Sequence, residues 1–206
     1  KNEEYVVCCH NAKIIDASGD LIQDKKLPNL KEDKIHTEVE LKKGAFLLTL
    51  SIVFRNLNIL KNYPLEGFRV VNGDTFLISL LGNFGKGFYM ENVKPAVYRN
   101  HAGGIWSQNN QIEKNKKHLL LLQELKNYYS CLNEKEMVAY FNKQEVLKLK
   151  GLLTHCKEIT SYSFFLNTLL KYIKKKGLSI LKPFYLKHLV KNLIKFHLSY
   201  FSLKRF

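Results

Sequence analysis

The 206-residue chain is 46% hydrophobic and 25% charged, a balance that excludes an intrinsically disordered protein and allows one domain with an appendage. Its 33 Lys and Arg against 18 Asp and Glu give a formal net charge of +15, unevenly placed: residues 1–110 hold 14 basic and 12 acidic residues, and residues 111–206 hold 19 and 6. No acidic residue follows Glu158, so the far end of the chain calls for an anionic partner, either nucleic acid or a lipid headgroup surface.

The chain opens at Lys1 without an initiator methionine, which points to a fragment or a trimmed product. "YVVCCHNAKIID" is rich in β-formers and ends at "ASGD", a turn after which "LIQ" returns as a partner strand. Adjacent Cys8 and Cys9 project to opposite faces of that strand and are poorly placed to bridge. With Cys131 and Cys156 they form neither a CxxC pair nor a zinc spacing, so a reducing, cytosolic setting is expected.

"DKKLPNLKEDKIH" reads as an exposed loop. "TEVELKKG" has a Thr cap, early acids, late lysines and a closing Gly, and so reads as a short helix. "AFLLTLSIVFR" reads as a buried strand, with a helix as the alternative; at about half of the roughly 20 residues a spanning helix needs, it does not cross a bilayer. "NILKNYPLEGFRVVNG" reads as a short helix and loop leading to Asp74.

From Asp74 the apolar positions Phe76, Leu77, Leu80, Leu81 and Phe84 recur at helical spacing, with Gly82 and Gly85 at the end. "GKGFYMENVKPAVYR" then predicts two short strands around a turn, with Pro95 at a strand start or edge. Beyond about residue 108 every segment reads as helical. The whole is mixed α/β over the first hundred residues and all-α afterwards.

Residues 73–107, "GDTFLISLLGNFGKGFYMENVKPAVYRNHAGGIWS", hold the candidate chemistry. Asp74 is either a helix N-cap or a general base whose carboxylate reaches a substrate hydroxyl. His101 is either a hydrogen-bonded structural residue or a ligand, and Gly103 and Gly104 directly after it suit a loop wrapped around a bound molecule. Arg99 pairs with a phosphate or a surface acid, and Trp106, the single tryptophan, is by default a core residue.

"FRNLNIL" together with residues 73–107 resembles the carboxy-terminal half of a family-2 glycosyltransferase, the inverting GT-A class that uses nucleotide-sugar donors. "YVVCCHNAKIIDASGDLI" is similar to the segment that follows the donor-binding half, and "TEVELKKGAFLLTLSIVFRN" to the helix and strand leading into the acceptor side. The resemblance covers roughly residues 3 to 108. It implies a partial GT-A domain, the acceptor side, over residues 1–108, and a basic helical extension over 109–206.

The resemblance also implies roles. Asp74, after Gly73, matches the catalytic base. His101 matches a late histidine near the donor diphosphate, often linked to the metal. Tyr98 and Arg99 match recurrent positions of less defined role and, with Gly73 and Trp106, are candidates for substrate binding.

Inverting transfer is a single displacement, so one carboxylate must remove the acceptor's proton. A divalent cation, Mn²⁺ or Mg²⁺, stabilises the departing nucleoside diphosphate, and imidazole suits Mn²⁺ better. No DxD occurs in the 206 residues, so the cation and the nucleotide-sugar are expected only with a donor-binding half. The chain alone is expected to be inactive and to bind nucleotide-sugar poorly. The implied acceptor is a glycan or a lipid-linked chain.

The alternative is a basic nucleic-acid-binding or helical interaction module without catalysis, including a homo-oligomer. Nucleic acid is the less favoured partner, because the tail has one Arg and its lysines sit beside long apolar stretches. In residues 183–201, "PFYLKHLVKNLIKFHLSYF", a helix aligns Leu186, Leu189, Val190, Leu193 and Tyr200 in one stripe and Lys187, Lys191 and Lys195 on a neighbouring face. The stripe would serve a core or a bilayer surface equally well. The absence of acids favours peripheral attachment to the inner face of a membrane, with a cytoplasmic location.

Overall fold

The computed structural model describes residues 3–30, 32–104, 108–154, 162–177, 187, 190–191 and 193–198. It is mixed α/β, with seven strands in two sheets and six helices among the described residues.

The strand-forming opening folds as β1 (Tyr5–His10) and β2 (Ala12–Ile15), separated only by Asn11, and β3 (Leu21–Gln23) returns antiparallel to β2. Asn11 is buried, and its side chain explains the break between the first two strands. Its Oδ1 accepts from the backbone N–H groups of Ala12 and Leu27, both at 3.0 Å, while its Nδ2 donates to Leu27 O at 3.1 Å and to Tyr89 Oη at 3.0 Å. One amide thereby fixes the bend where the chain leaves one sheet for the other.

The polar segment expected to be an exposed loop instead contributes β4 (Lys34–His36). Alternation too short to detect in three residues is stabilised by antiparallel pairing with a later strand, Ile35 opposite Phe88. The helix after it, α1 (Glu38–Lys42), begins as expected: Thr37 Oγ1 accepts from Glu40 N at 3.2 Å, and Thr37 N donates to Glu40 Oε2 at 2.8 Å. Gly44, at φ +77°, closes it in a conformation that only glycine adopts cheaply.

The apolar run at 45–54 is not one buried strand. It forms a single 3-10 turn, Thr49–Ser51, and then the two-residue β5 (Val53–Phe54), whose Val53 is 71% exposed. Leu47 and Leu48 turn into the core and Phe46 turns out, so hydrophobicity without a period of two gave too regular an expectation.

After α2 (Leu65–Phe68) comes α3 (Gly73–Leu81), with Phe76, Ile78, Leu80 and Leu81 buried. Gly82 ends it where a Cβ would meet Lys42 N at 2.6 Å and Glu38 O at 2.7 Å, so the missing side chain lets α3 close on α1. Phe84 lies beyond the helix and is exposed.

The two strands expected next are β6 (Lys86–Met90) and β7 (Ala96–Arg99), with Pro95 just ahead of the second. They belong to different sheets. β6 runs parallel to β1, and β7 parallel to β2, giving the orders β4-β6-β1-β5 and β3-β2-β7.

The helical part begins with α4 (Gln111–Cys131) and α5 (Lys135–Thr154), and continues with α6 (Tyr162–Lys176). Leu121, Leu122, Leu125, Tyr129, Met137 and Phe141 of the first two helices enter the same core as Val6, Phe76 and Tyr89. Tyr129 Oη donates to Ser79 O at 2.9 Å, and Lys42 Nζ pairs with Glu134 at 2.8 Å. A second core gathers Ile112, Leu149, Leu152, Phe165, Tyr172 and Phe196.

Candidate functional site

Asp74 is not the N-cap of α3. Asn72 occupies that position without a side-chain capping bond, and Asp74 is the second residue of the helix, where negative charge is favoured by the helix dipole. Its carboxylate is held from two sides: Thr75 N donates to Oδ1 at 2.7 Å, and Thr49 Oγ1 donates to Oδ2 at 2.5 Å. The 3-10 turn carrying Thr49 is therefore what aims the carboxylate.

Asp74 opens on a cleft of about 560 Å³ between the start of α3, β5 and α2. The walls are largely apolar, with Ile52, Phe54, Leu60, Phe68 and Leu77, and Gly73, Thr49 and Tyr63 bring polar atoms to the Asp74 end. Tyr63 Oη donates to Gly73 O at 3.4 Å. Its phenol is pushed above its usual pKa by burial and, to a lesser degree, by the negative charge of Asp74, so it remains a neutral donor. A Cβ on Gly67 would collide with the Tyr63 ring, which also meets Phe68 edge-on at 5.1 Å. The glycine is thus a requirement of where the tyrosine stands.

Of the residues singled out in the sequence, Gly73 and Asp74 line this cleft; Tyr98, Arg99 and His101 do not. Tyr98 lies under Lys26, whose Nζ is 3.1 Å from the ring centroid, and burial lowers the pKa of that lysine. Arg99 Nη1 donates to Ala17 O at 2.8 Å and to Asp16 O at 3.4 Å, so its guanidinium braces the turn between β2 and β3. His101 is exposed just past β7, where a Cβ on Gly103 would meet its Nδ1 at 3.2 Å. β7 also touches the 3-10 turn that carries Thr49. Trp106 lies outside the described residues, as do Cys156, Leu186, Leu189 and Tyr200.

Thr49 and Tyr63 are the two site residues that the sequence did not point to. One of two hydroxyls inside "AFLLTLSIVF", beside Ser51, was the only signal for the first, and the Tyr-Pro pair that ends a loop the only one for the second. Neither marks its partner, Asp74 for Thr49 and Gly73 for Tyr63, 25 and 10 residues away.

Among the described residues, no group of three His, Cys, Asp or Glu side chains could hold a metal ion. Both Asp74 oxygens already accept hydrogen bonds, and the cleft contains no histidine. The residues that line the cleft do not by themselves make a ligand set for a divalent cation. Cys8, Cys9 and Cys131 are free thiols, and burial pushes Cys9 up to about 11. Among the described residues no helix is long and apolar enough to cross a membrane. No family model matches the chain, and no curated protein or solved structure matches it.

Proposed function

We propose that this chain is the acceptor side of an inverting glycosyltransferase of GT-A type and that Asp74 is its general base. The observation that carries the reading is a half-buried carboxylate, fixed by Thr49 and Thr75, at the polar end of a cleft large enough for part of an acceptor. The sequence resemblance assigns the base to the same residue.

In the proposed reaction an acceptor hydroxyl enters the cleft at Asp74. Its oxygen attacks the anomeric carbon of the donor sugar, the proton passes to the Asp74 carboxylate, and the nucleoside diphosphate departs with the electron pair of the broken bond. Attack from the face opposite the leaving group inverts the configuration. Thr49 holds the carboxylate in place, which matters because a misdirected base forfeits much of the gain from proximity. Tyr63, a neutral donor at the same end, can hydrogen-bond the incoming acceptor.

The apolar walls suit an acceptor with a substantial apolar portion, and so favour a lipid-linked acceptor over a wholly polar glycan. The nucleotide-sugar, with any divalent cation, requires a donor-binding half supplied by further polypeptide. Tyr98 and Arg99 stand on the neighbouring sheet with His101 just past its strand β7, and in this reading His101 serves the donor diphosphate from there.

The test uses a polypeptide that joins residues 1–206 to its donor-binding half, with a panel of nucleotide-sugars and matched lipid-linked and soluble acceptors. Proton NMR of the first-formed product should show the inverted anomeric configuration. Retention, or no transfer from any donor in the panel, would overturn the proposal.

A further inference from the structure

The tail helix settles its core-facing side with residues other than the expected stripe. Residues 187, 190, 191 and 193–198 are helical. Phe196, 2% exposed, stacks on Phe165 of α6 with centroids 4.0 Å apart and rings 4° from parallel, and Leu193 packs beside it. That contact satisfies the need of an amphipathic helix to bury one face.

A second apolar row is left in solvent. Val190, Ile194 and Leu198, four residues apart, are 45%, 54% and 67% exposed. At 3.6 residues per turn they share one line along the helix, on the side away from Phe196, and Lys187, Lys191 and Lys195 form the adjoining line about 60° round. All three lysines are exposed. Residues 159–206 contain nine Lys, one Arg and no Asp or Glu, so no acid of this segment offsets the row.

We infer that Val190, Ile194, Leu198, Lys187, Lys191 and Lys195 form a docking surface for an anionic lipid bilayer, the aliphatic row entering the acyl boundary and the lysines meeting the headgroups. Charge complementarity selects the partner's sign, and the aliphatic row selects its kind. A nucleic acid backbone rewards lysines but offers nothing to three exposed branched side chains, whereas an interfacial helix uses both. The surface lies on the helical part and does not depend on the reaction proposed at Asp74, so either can fail without the other.

The test is flotation of the full chain with phosphatidylcholine vesicles, with and without phosphatidylglycerol, at about 0.1 M and about 1 M salt. Binding should require the anionic lipid and be lost at high salt. Lys187→Gln/Lys191→Gln/Lys195→Gln should weaken partitioning about 100-fold, each lysine near an anionic surface contributing roughly fivefold. Val190→Ser/Ile194→Ser/Leu198→Ser should also weaken it, by at least about tenfold. Because all six side chains are exposed, both variants should keep the melting temperature of the parent chain; if one does not, the single changes Lys191→Gln and Ile194→Ser carry the test with smaller effects in the same direction. No binding to anionic vesicles, or binding indifferent to vesicle charge, would overturn the inference. So would binding to a random DNA duplex that exceeds vesicle binding and ignores the serine variant, or a dimer in light scattering that the serine variant dissociates.

Discussion

The sheets and the helices of this protein handle polarity in opposite ways. In the α/β part, two neutral buried groups are placed by hydrogen bonds: Asn11 uses both ends of its amide across two sheets, and Tyr89 Oη, fully buried, donates to Glu91 Oε2 at 2.8 Å while Lys25 pairs with that same carboxylate. In the helical part the central polar group is charged. Glu145 of α5, 0% exposed, receives Lys126 of α4 at 3.0 Å and Lys175 of α6, drawing three helices onto one carboxylate. The first arrangement fixes angles, as a cleft with one aimed carboxylate requires. The second draws three lysine-rich helices together while Lys135, Lys143, Lys171 and Lys174 stay exposed.

The sharpest way to break this contrast is Glu145→Ala. Two lysine ammonium groups then face each other without a counter-charge, and the chain should lose about 3 kcal/mol of stability, the lower end for a broken buried pair because both lysines are partly open to water. Hydrogen exchange should show protection lost first in α5 and α6. Equal loss in β1 and β6 would mean that the two regions do not differ as described.

Asn11→Ala should cost about 2–3 kcal/mol, since it removes an amide with four partners and leaves the backbone N–H groups of Leu27 and Ala12 without the acceptor that holds them. Urea unfolding measures it, and here the early exchange should appear in β2 and β7. A loss below about 0.5 kcal/mol would show that the bend is maintained by packing alone.

The smallest effect is on pH. His36 and His118 both have pKa values below the ordinary 6.5, each chiefly through burial and secondarily through a nearby lysine, Lys34 and Lys148 respectively, with Glu40 partly opposing the shift at His36. Unfolded, each takes up a proton near pH 6.5 that it resists when folded. Stability from these groups is therefore complete above that pH and declines as pH falls below it. Melting temperatures between about pH 7.5 and 5.5 should drop, and His36→Leu should flatten the slope. A rise on acidification would contradict the burial of the His36 ring.

Much of the fold was legible locally. The Thr37–Glu40 capping box, the helix from residue 73 and the strands around Pro95 are each signalled by residues within a few positions of one another, although the two strands find their partners in β1 and β2. What was not legible depends on partners far along the chain. β4 exists because β6 offers it an edge, and the run at 45–54 folds into a turn because Leu48 and Phe46 are sent to opposite sides.

The candidate site divides in the same way. Asp74 stood out by type and setting, whereas Thr49 reaches it, and Tyr63 reaches Gly73 beside it, only through the tertiary fold. The tail shows the limit of helical periodicity most clearly. Spacing could align Val190 with Leu193 in one stripe, but only the stacking of Phe196 on Phe165 shows which side is inward, and it leaves Val190 outside.

The central claim is that Asp74 accepts the proton of the acceptor. The most direct test is the single-turnover rate of sugar transfer by Asp74→Asn, in the polypeptide that includes the donor-binding half, at saturating acceptor. Asparagine can still accept from Thr49 or Thr75 but cannot take the proton, so the rate should fall about 100-fold or more with melting temperature and acceptor affinity little changed. A rate within a few-fold of the parent, in a variant that folds and binds normally, would contradict the claim and leave Asp74 a structural residue of the α3 start.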